Sequence, residues 1–352
     1  MSVRTELETD VATPYKESVH QTPYLFELSG EHPLLPSAEV MGCCYAECES
    51  HSILSSGPGY IIIDMPEGAV QPIGSRIALT HRIGEYLLSC EPTEAIKAVA
   101  DLKLPDGTFA VRVGRKGSNF PEIDCNQFAS DIGHVLAKDR KVDLFEPETE
   151  LRVMLSDRIH FYIIRHEVDR SGFEERKVAK RPFFSPISLH PRYARALVNL
   201  TGVKRGERLL DPFCGTGGIL IEAGMIGVRP VGSDISETMI EGCKENMDYF
   251  GLKWDELVET DIDSIDDVFD NISVVATDPP YGRSASTRKE PIDELYSRAI
   301  SAIYRVLRSG GRAGIVLPRP CISGFSGMKL RESIQQRVHR SLTRHYCLLD
   351  RL

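Results

Sequence analysis

Apolar positions along this chain change their spacing as the sequence proceeds. YLFEL (24–28) reads as a strand closed by Pro33 and Pro36, and Ser37 is placed to cap a helix over SAEVMGCCYAEC. GYIIIDM (59–65), entered through a Gly-Pro-Gly turn, reads as a second strand. RIGEYLLSC (82–90) and TEAIKAVADL (93–102) carry helical spacing, whereas FAVRVGR (109–115) alternates as a half-buried strand does. CNQFASDIGHVLAKD (125–139) predicts a helix, and LRVMLSD (151–157) and RIHFYIIRHEV (158–168) predict strands. Short mixed elements in this order imply one or two small α+β units.

The segment 169–186, DRSGFEERKVAKRPFFSP, breaks the pattern with basic residues, Pro182 and Pro186, and reads as a linker. LHPRYARALVNLTG (189–202) then predicts a helix with a glycine stop. From there strands at 208–213, 229–235, 257–262, 273–280 and 312–318 alternate with helices, the signature of an α/β doubly wound parallel sheet. The closing QQRVHRSLTRHYCLLDRL alternates enough to add antiparallel strands. The chain thus divides into a polar tail (1–21), an α+β region (22–168), the linker (169–186) and the α/β domain (187–352).

Composition narrows the class. At 352 residues, 41% hydrophobic and 26% charged, the chain is globular rather than disordered or fibrous. No run approaches the roughly 20 apolar residues of a membrane helix, and MSVRTELETD carries no export signal. These features predict a cytoplasmic protein whose nine cysteines are reduced. Cys43, Cys44 and Cys48 cluster, but without matching ligands at metal spacing they are expected to be structural, and no metal site is predicted. The net charge of −9 argues at first against nucleic acid. It is unevenly spread: −11 over 1–170, +6 over 171–208, −13 over 209–280 and +9 over 281–352. Two basic segments flank a strongly acidic one.

The acidic block carries the chemistry. DPFCGTGG (211–218) follows a strand and opens a helix; Gly215 and Gly217 permit a tight turn and close ligand approach. Asp211 ends the first strand of this sheet, Asp234 the next and Asp261 the third. A carboxylate at 234 can accept from both hydroxyls of a ribose, one at 261 from the amine of an adenine. The run lacks the G-x-G-x-x-G of a pyrophosphate site, and an acid ahead of the loop suits a ligand bearing an amine. TDPPYG (277–282) ends the fourth strand. Pro279 and Pro280 stiffen the turn, so that Asp278 and the Pro279 carbonyl can accept both hydrogens of a nucleobase amine. Tyr281 offers a face for a flipped base.

In this order, DPFCGTGG, GSDI, ETDI and DPPYG resemble a class I S-adenosylmethionine-dependent amino-methyltransferase. The Asp-Pro-Pro-Tyr form is similar to enzymes that methylate the guanine amine in RNA. FAVRVGRKGSN, the helix at 125–139 and LRVMLSDRIHFYIIR resemble a THUMP RNA-binding domain, and YLFELSGEHPLLPSAEV resembles the ferredoxin-like segment that precedes one. KRPFFSPISLHPRYARALVNL and VHRSLTR resemble the archaeal tRNA guanosine-10 N2-methyltransferase family. The resemblance implies a Rossmann-like methyltransferase sheet behind a ferredoxin-like/THUMP region. It implies S-adenosylmethionine as cofactor, and tRNA as substrate. Asp211, Gly215, Gly217, Asp234, Ile235 and Asp261 are expected to line the cofactor, with Asp278, Pro279, Pro280 and Tyr281 catalytic. His190 either closes over the cofactor with Pro191 or caps its helix. Arg283, Arg288 and Lys289, and in the front half Arg112, Arg115 and Lys116, are expected to meet tRNA. A monomer active without a protein partner is expected. The competing readings are methylation of another base, such as adenine N6 in ribosomal RNA or DNA, a degenerate tRNA-binding protein, and a nicotinamide-dependent oxidoreductase. Spacing between the halves, set by the linker, would measure distance along the tRNA.

Overall fold

The computed structural model describes residues 20–138, 140–185, 188–281, 291–320, 327–340 and 342–352. The expected tail to residue 19 and the basic trio Arg283, Arg288 and Lys289 lie outside the described residues.

The front half is a seven-stranded sheet in the order β2-β3-β1-β4-β7-β6-β5. Its elements are β1 (Gln21–Leu28), α1 (Leu35–Glu47), β2 (Ser52–Gly57), β3 (Tyr60–Pro66), α2 (Val70–Arg76) and β4 (Thr80–Cys90), followed by α3 (Ala95–Ala100), β5 (Phe109–Arg115), α4 (Cys125–Leu136), β6 (Thr149–Leu155) and β7 (Ile159–Glu167). The first six follow the β-α-β-β-α-β order of a ferredoxin-like unit. Phe26, Ile61 and Ile63 pack on one face beneath α1 with Val40 and Cys43, while Leu25, Tyr60 and Ile62 face the other side.

Three expectations are corrected. Residues 82–90 are not helical: they lie in β4, which pairs with β1 on one side and β7 on the other. Its apolar residues happen to fall three to four apart, but ladders on both sides outweigh that local spacing. Gly84 marks the close packing, because a Cβ there would stand 2.2 Å from the Tyr162 ring. Helix α1 begins at Leu35, so Pro36 sits in its first turn instead of ending a strand, and its cap is not Ser37. The His32 ring accepts from the amides of Leu34 and Leu35, at 3.1 and 2.9 Å. Strand β2, SILSSG, was not expected; it is an exposed edge paired only with β3, and its polar residues give no core signal.

The back half is a second seven-stranded sheet, ordered β10-β9-β8-β11-β12-β14-β13. After α5 (Ser171–Glu175) and α6 (Pro191–Leu200) come β8 (Arg208–Asp211), α7 (Gly218–Met225), β9 (Arg229–Asp234), α8 (Glu237–Tyr249), β10 (Glu256–Glu259) and α9 (Ile265–Val268). They are followed by β11 (Ile272–Thr277), α10 (Ile292–Val306), β12 (Leu307–Leu317), β13 (Met328–His339) and β14 (Leu342–Arg351). Strands β8 to β12 run parallel, and β14 lies antiparallel to both β12 and β13. Helices α6 to α8 cover one face, α9 and α10 the other. The winding reverses between β8 and β11, and ligands bind in such folds at the carboxyl edge of that reversal.

The halves share a packed boundary. Leu35, Ala78 and Leu79 of the front belong to the same core cluster as α6 and α7. Helices α1 and α6 approach so closely that a Cβ on Gly42 would lie 2.1 Å from the Asn199 carbonyl oxygen. Buried Glu39 accepts from the amides of Ala78 (2.9 Å) and Leu79 (2.8 Å) and from Asn199 Nδ2 (2.7 Å). Arg76 donates to Asn199 Oδ1 (3.0 Å) and the Val203 carbonyl (2.9 Å). The segment read as a linker also packs on the back half: Phe173 is buried, and Arg176 pairs with buried Glu222 at 2.6 Å.

Candidate active site

The glycine loop connects β8 to α7. Gly215 and Gly217 adopt φ of +50° and +80°, the left-handed region that glycine enters without strain. A Cβ at 217 would stand 2.7 Å from Cys243 Sγ, whereas one at 215 would enter open space. Asp211 is buried beneath the loop, accepting from Thr277 Oγ1 (2.7 Å) and the Phe213 amide (3.1 Å). Burial, reinforced by the nearby Asp234 charge, pushes its carboxyl up to about 7. Asp234 ends β9 and holds the loop directly: Oδ2 accepts from the Gly215 amide and Oδ1 from the Ser236 amide, each at 3.0 Å. Its carboxyl is also raised by burial. Ile235 follows it, part-exposed beside the loop.

Asp261 lies two residues beyond β10 and not at its end. It caps a short 3-10 turn, accepting from the Asp263 amide and from Arg298 Nη2, both at 3.1 Å. His190 occupies the N-cap of α6, where its ring accepts from the Arg192 amide at 3.3 Å. Of the two alternatives for His190, this contact is the capping one.

The fourth strand ends at Thr277, whose hydroxyl ties the first strand's Asp211 to the turn that follows. In that turn the Tyr281 hydroxyl donates to Asp278 Oδ1, and Tyr296 of α10 donates to the Pro280 carbonyl at 2.9 Å. Pro279 is buried and Pro280 partly so. Burial pushes the Asp278 carboxyl up to about 7; Arg344 opposes the rise and Asp211 adds to it. The guanidinium of Arg344, on β14, lies over the Tyr281 ring at 5.9 Å from its centroid. A glycine loop framed by acids therefore adjoins a rigid turn that presents a carboxylate and an aromatic ring. That combination can hold a cationic or amine-bearing cofactor against an exocyclic amine.

Comparison with known proteins places this geometry. Residues 179–345 match the family model UPF0020, RMKL-like methyltransferase domain. The tRNA (guanine(10)-N2)-dimethyltransferase of Methanothermobacter thermautotrophicus is 37% identical over 338 residues, covering 92% of this chain and 98% of that protein. The chain belongs to the tRNA (guanine(10)-N2)-dimethyltransferase family. A member from Pyrococcus abyssi is 36% identical, covering 79% of this chain and 86% of its own. The crystal structure of TrmN from Thermus thermophilus shares the fold, with a TM-score of 0.53 at 21% identity over 94% of this chain and all of that one.

The three basic residues expected to meet RNA from the front half make internal contacts in this family member. Lys116 Nζ donates to the Leu28 carbonyl at 3.1 Å and pairs with Glu27 at 3.0 Å, which helps hold the Glu27 carboxyl down at about 2. Arg115 donates to the Ile123 carbonyl, and Arg112 to the Leu144 carbonyl at 2.5 Å. Thr277, Tyr296 and Arg344 were not foreseen at the site. Two of them had a signal: Thr277 opens TDPPYG and Arg344 closes VHRSLTR, although neither was given a role. Among the described residues no group of three or more His, Cys, Asp or Glu side chains could hold a metal ion, and Cys43 and Cys44 are buried in the front core.

Proposed function

We propose that this enzyme transfers methyl groups from S-adenosylmethionine to the N2 amine of guanosine 10 in tRNA, forming the dimethylated base through a monomethyl intermediate. The observation that carries the reading is the Asp278 turn bonded through Thr277 to the glycine loop's own acid, at the reversal point of the sheet. It is supported by relatives of 37% and 36% identity named for that reaction.

The residues fit the cofactor. The open space beside Gly215 admits a ligand against the backbone. The acids around the loop accept hydrogen bonds from hydroxyl or amine groups and would repel a pyrophosphate. Asp234 would take the ribose and Asp261 the adenine edge, sharing its carboxylate with Arg298. The bound cofactor supplies an electrophilic methyl group. Asp278 accepts the amine hydrogens and turns the nitrogen lone pair out of conjugation, while Tyr281 stacks on the extruded guanine. Positive charge builds on the nitrogen as the bond forms, and the Asp278 carboxylate disperses it. A carboxyl near neutrality can then take the proton that leaves. After one transfer the amine retains one N–H, enough for Asp278 to orient it again.

The front sheet acts in this reading as a THUMP-type grip on the acceptor stem, with Arg112 and Arg115 at its edge. Arg283, Arg288 and Lys289, next to the catalytic turn in sequence, hold phosphates around the target. The protein works as a monomer without an activator. Mass spectrometry of nucleosides from tRNA incubated with enzyme and cofactor tests the reading. N2-methylguanosine and N2,N2-dimethylguanosine that vanish when guanosine 10 is replaced are expected; N6-methyladenosine instead would overturn it.

A further inference from the structure

The carboxyl-terminal motif VHRSLTR ends at Arg344, to which the reaction above assigns no role. The sheet register shows why the residue matters. On β14, His345 lies opposite Leu317, the last residue of β12, and β12 runs parallel to β11. Arg344 therefore emerges at the carboxyl edge of the sheet, beside the turn that follows β11. Its guanidinium lies 5.9 Å from the Tyr281 centroid, and Tyr281 in turn donates to Asp278. Its Nε is buried without a hydrogen-bond partner among the described residues. That nitrogen spends nothing on the fold around it, and the guanidinium is set against the ring of the turn.

Charge gives that placement a reason. The groups facing Asp278 are Tyr281 from its own turn, Asp211 from β8, Tyr296 from α10, and Tyr346 and Arg344 from β14. Asp211 repels a carboxylate and the tyrosines are neutral, so among these groups Arg344 alone brings positive charge. We propose that Arg344 is a positioning residue for methyl transfer, holding the Tyr281–Asp278 pair and keeping Asp278 in the ionised form that grips the substrate amine. This rests on the amino-methyltransferase reading. Burial and Asp211 both drive Asp278 toward protonation, and Arg344 is the opposing influence.

The test compares wild type, Arg344→Gln and Arg344→Lys on tRNA across pH. The acid limb of kcat should move upward by about one unit in Arg344→Gln, lowering the rate near neutrality by about fivefold and recovering at high pH. Arg344→Lys keeps the charge and should restore the wild-type limb. S-adenosylmethionine affinity should be unchanged in both. A second readout needs no RNA: melting temperatures of wild type and Asp278→Asn, with and without Arg344→Gln, report where Asp278 titrates. The gap between wild type and Asp278→Asn should open at the same acid pH in both backgrounds, but the pH at which it stops widening should rise when Arg344 is replaced. Superimposable kcat profiles, or a pH-independent loss that lysine does not rescue, would overturn the inference. An unshifted melting cycle would do the same. A shifted melting cycle with no methylation of tRNA guanosine by wild type would instead indict the proposed reaction.

Discussion

Asp278 sits where its own ionisation is opposed, and that gives it two measurable signatures. The first is kinetic. In the proposed reaction Asp278→Ala removes both the orienting acceptor and the charge that disperses the cationic nitrogen, so kcat should fall by roughly 10²–10³-fold while cofactor affinity holds. Isothermal titration beside single-turnover methylation separates the two. The second is thermodynamic. The folded carboxyl titrates at about 7 against an ordinary value of 3.8. Between those values the folded chain keeps a proton that the unfolded chain has released, so the stability contributed by this carboxyl declines as pH rises through the window and stays reduced above it. Asp278→Asn should therefore melt higher than wild type at alkaline pH, and the gap should close near pH 4. No gap at alkaline pH would mean that the carboxyl is not strained by burial. Tyr281→Ala should raise KM for tRNA by roughly tenfold and leave cofactor binding alone, because stacking concerns only the base. The turn that carries Asp278 and Tyr281 was legible in the sequence because it is local: four consecutive residues after β11 form it. Thr277's bond to Asp211, Tyr296's to Pro280 and the placement of Arg344 join segments 16 to 66 residues apart, and no spacing encodes them.

Elements were read best where one periodicity acts alone. The parallel strands β8, β9 and β11 are short apolar runs closed by an acid or a threonine, and their order follows from the strand–helix alternation. The failure at β4 has the opposite origin. A strand shared by two α+β halves takes its conformation from partners on both edges, and its own residues record that only weakly. The α1–α6 contact is another feature invisible in sequence, because MGCCYAEC shows a glycine in a helix without showing what approaches it. That contact predicts a specific weakness. Gly42→Ala would set a methyl 2.1 Å from a backbone oxygen that cannot swing aside, so the two helices must separate. Overpacking of this kind costs about 1–3 kcal/mol, and urea denaturation should show it as a lower midpoint. An unchanged midpoint would mean that the helices can separate without cost.

At the scale of the molecule, the question is what fixes the distance from the front sheet to the catalytic turn. Sequence suggested the segment 169–186. The boundary between the halves is the competing candidate: there Glu39, Arg76 and Asn199 interlock and the front residues Leu35, Ala78 and Leu79 enter the core of the back half. A buried polar cluster of this kind adds little net stability but tolerates a single geometry. The segment itself is anchored independently on either side of its exposed Lys180, through Arg176 to Glu222 and through the Phe183 amide to Asn246 at 3.0 Å. Two experiments follow. A short Gly-Ser insertion at Lys180 should bulge outward and leave methylation at guanosine 10, mapped by nuclease digestion and mass spectrometry. Arg76→Ala, which frees the cluster, should lower kcat/KM on tRNA and spread methyl groups to other guanosines, while cofactor affinity persists. The basic segments of +6 and +9 both lie behind residue 170, so a phosphate grip by them would be a property of the linker and the back half. Affinity should fall steeply with salt in wild type. If the insertion instead moved the target and Arg76→Ala did not, the segment and not the interface would be the ruler.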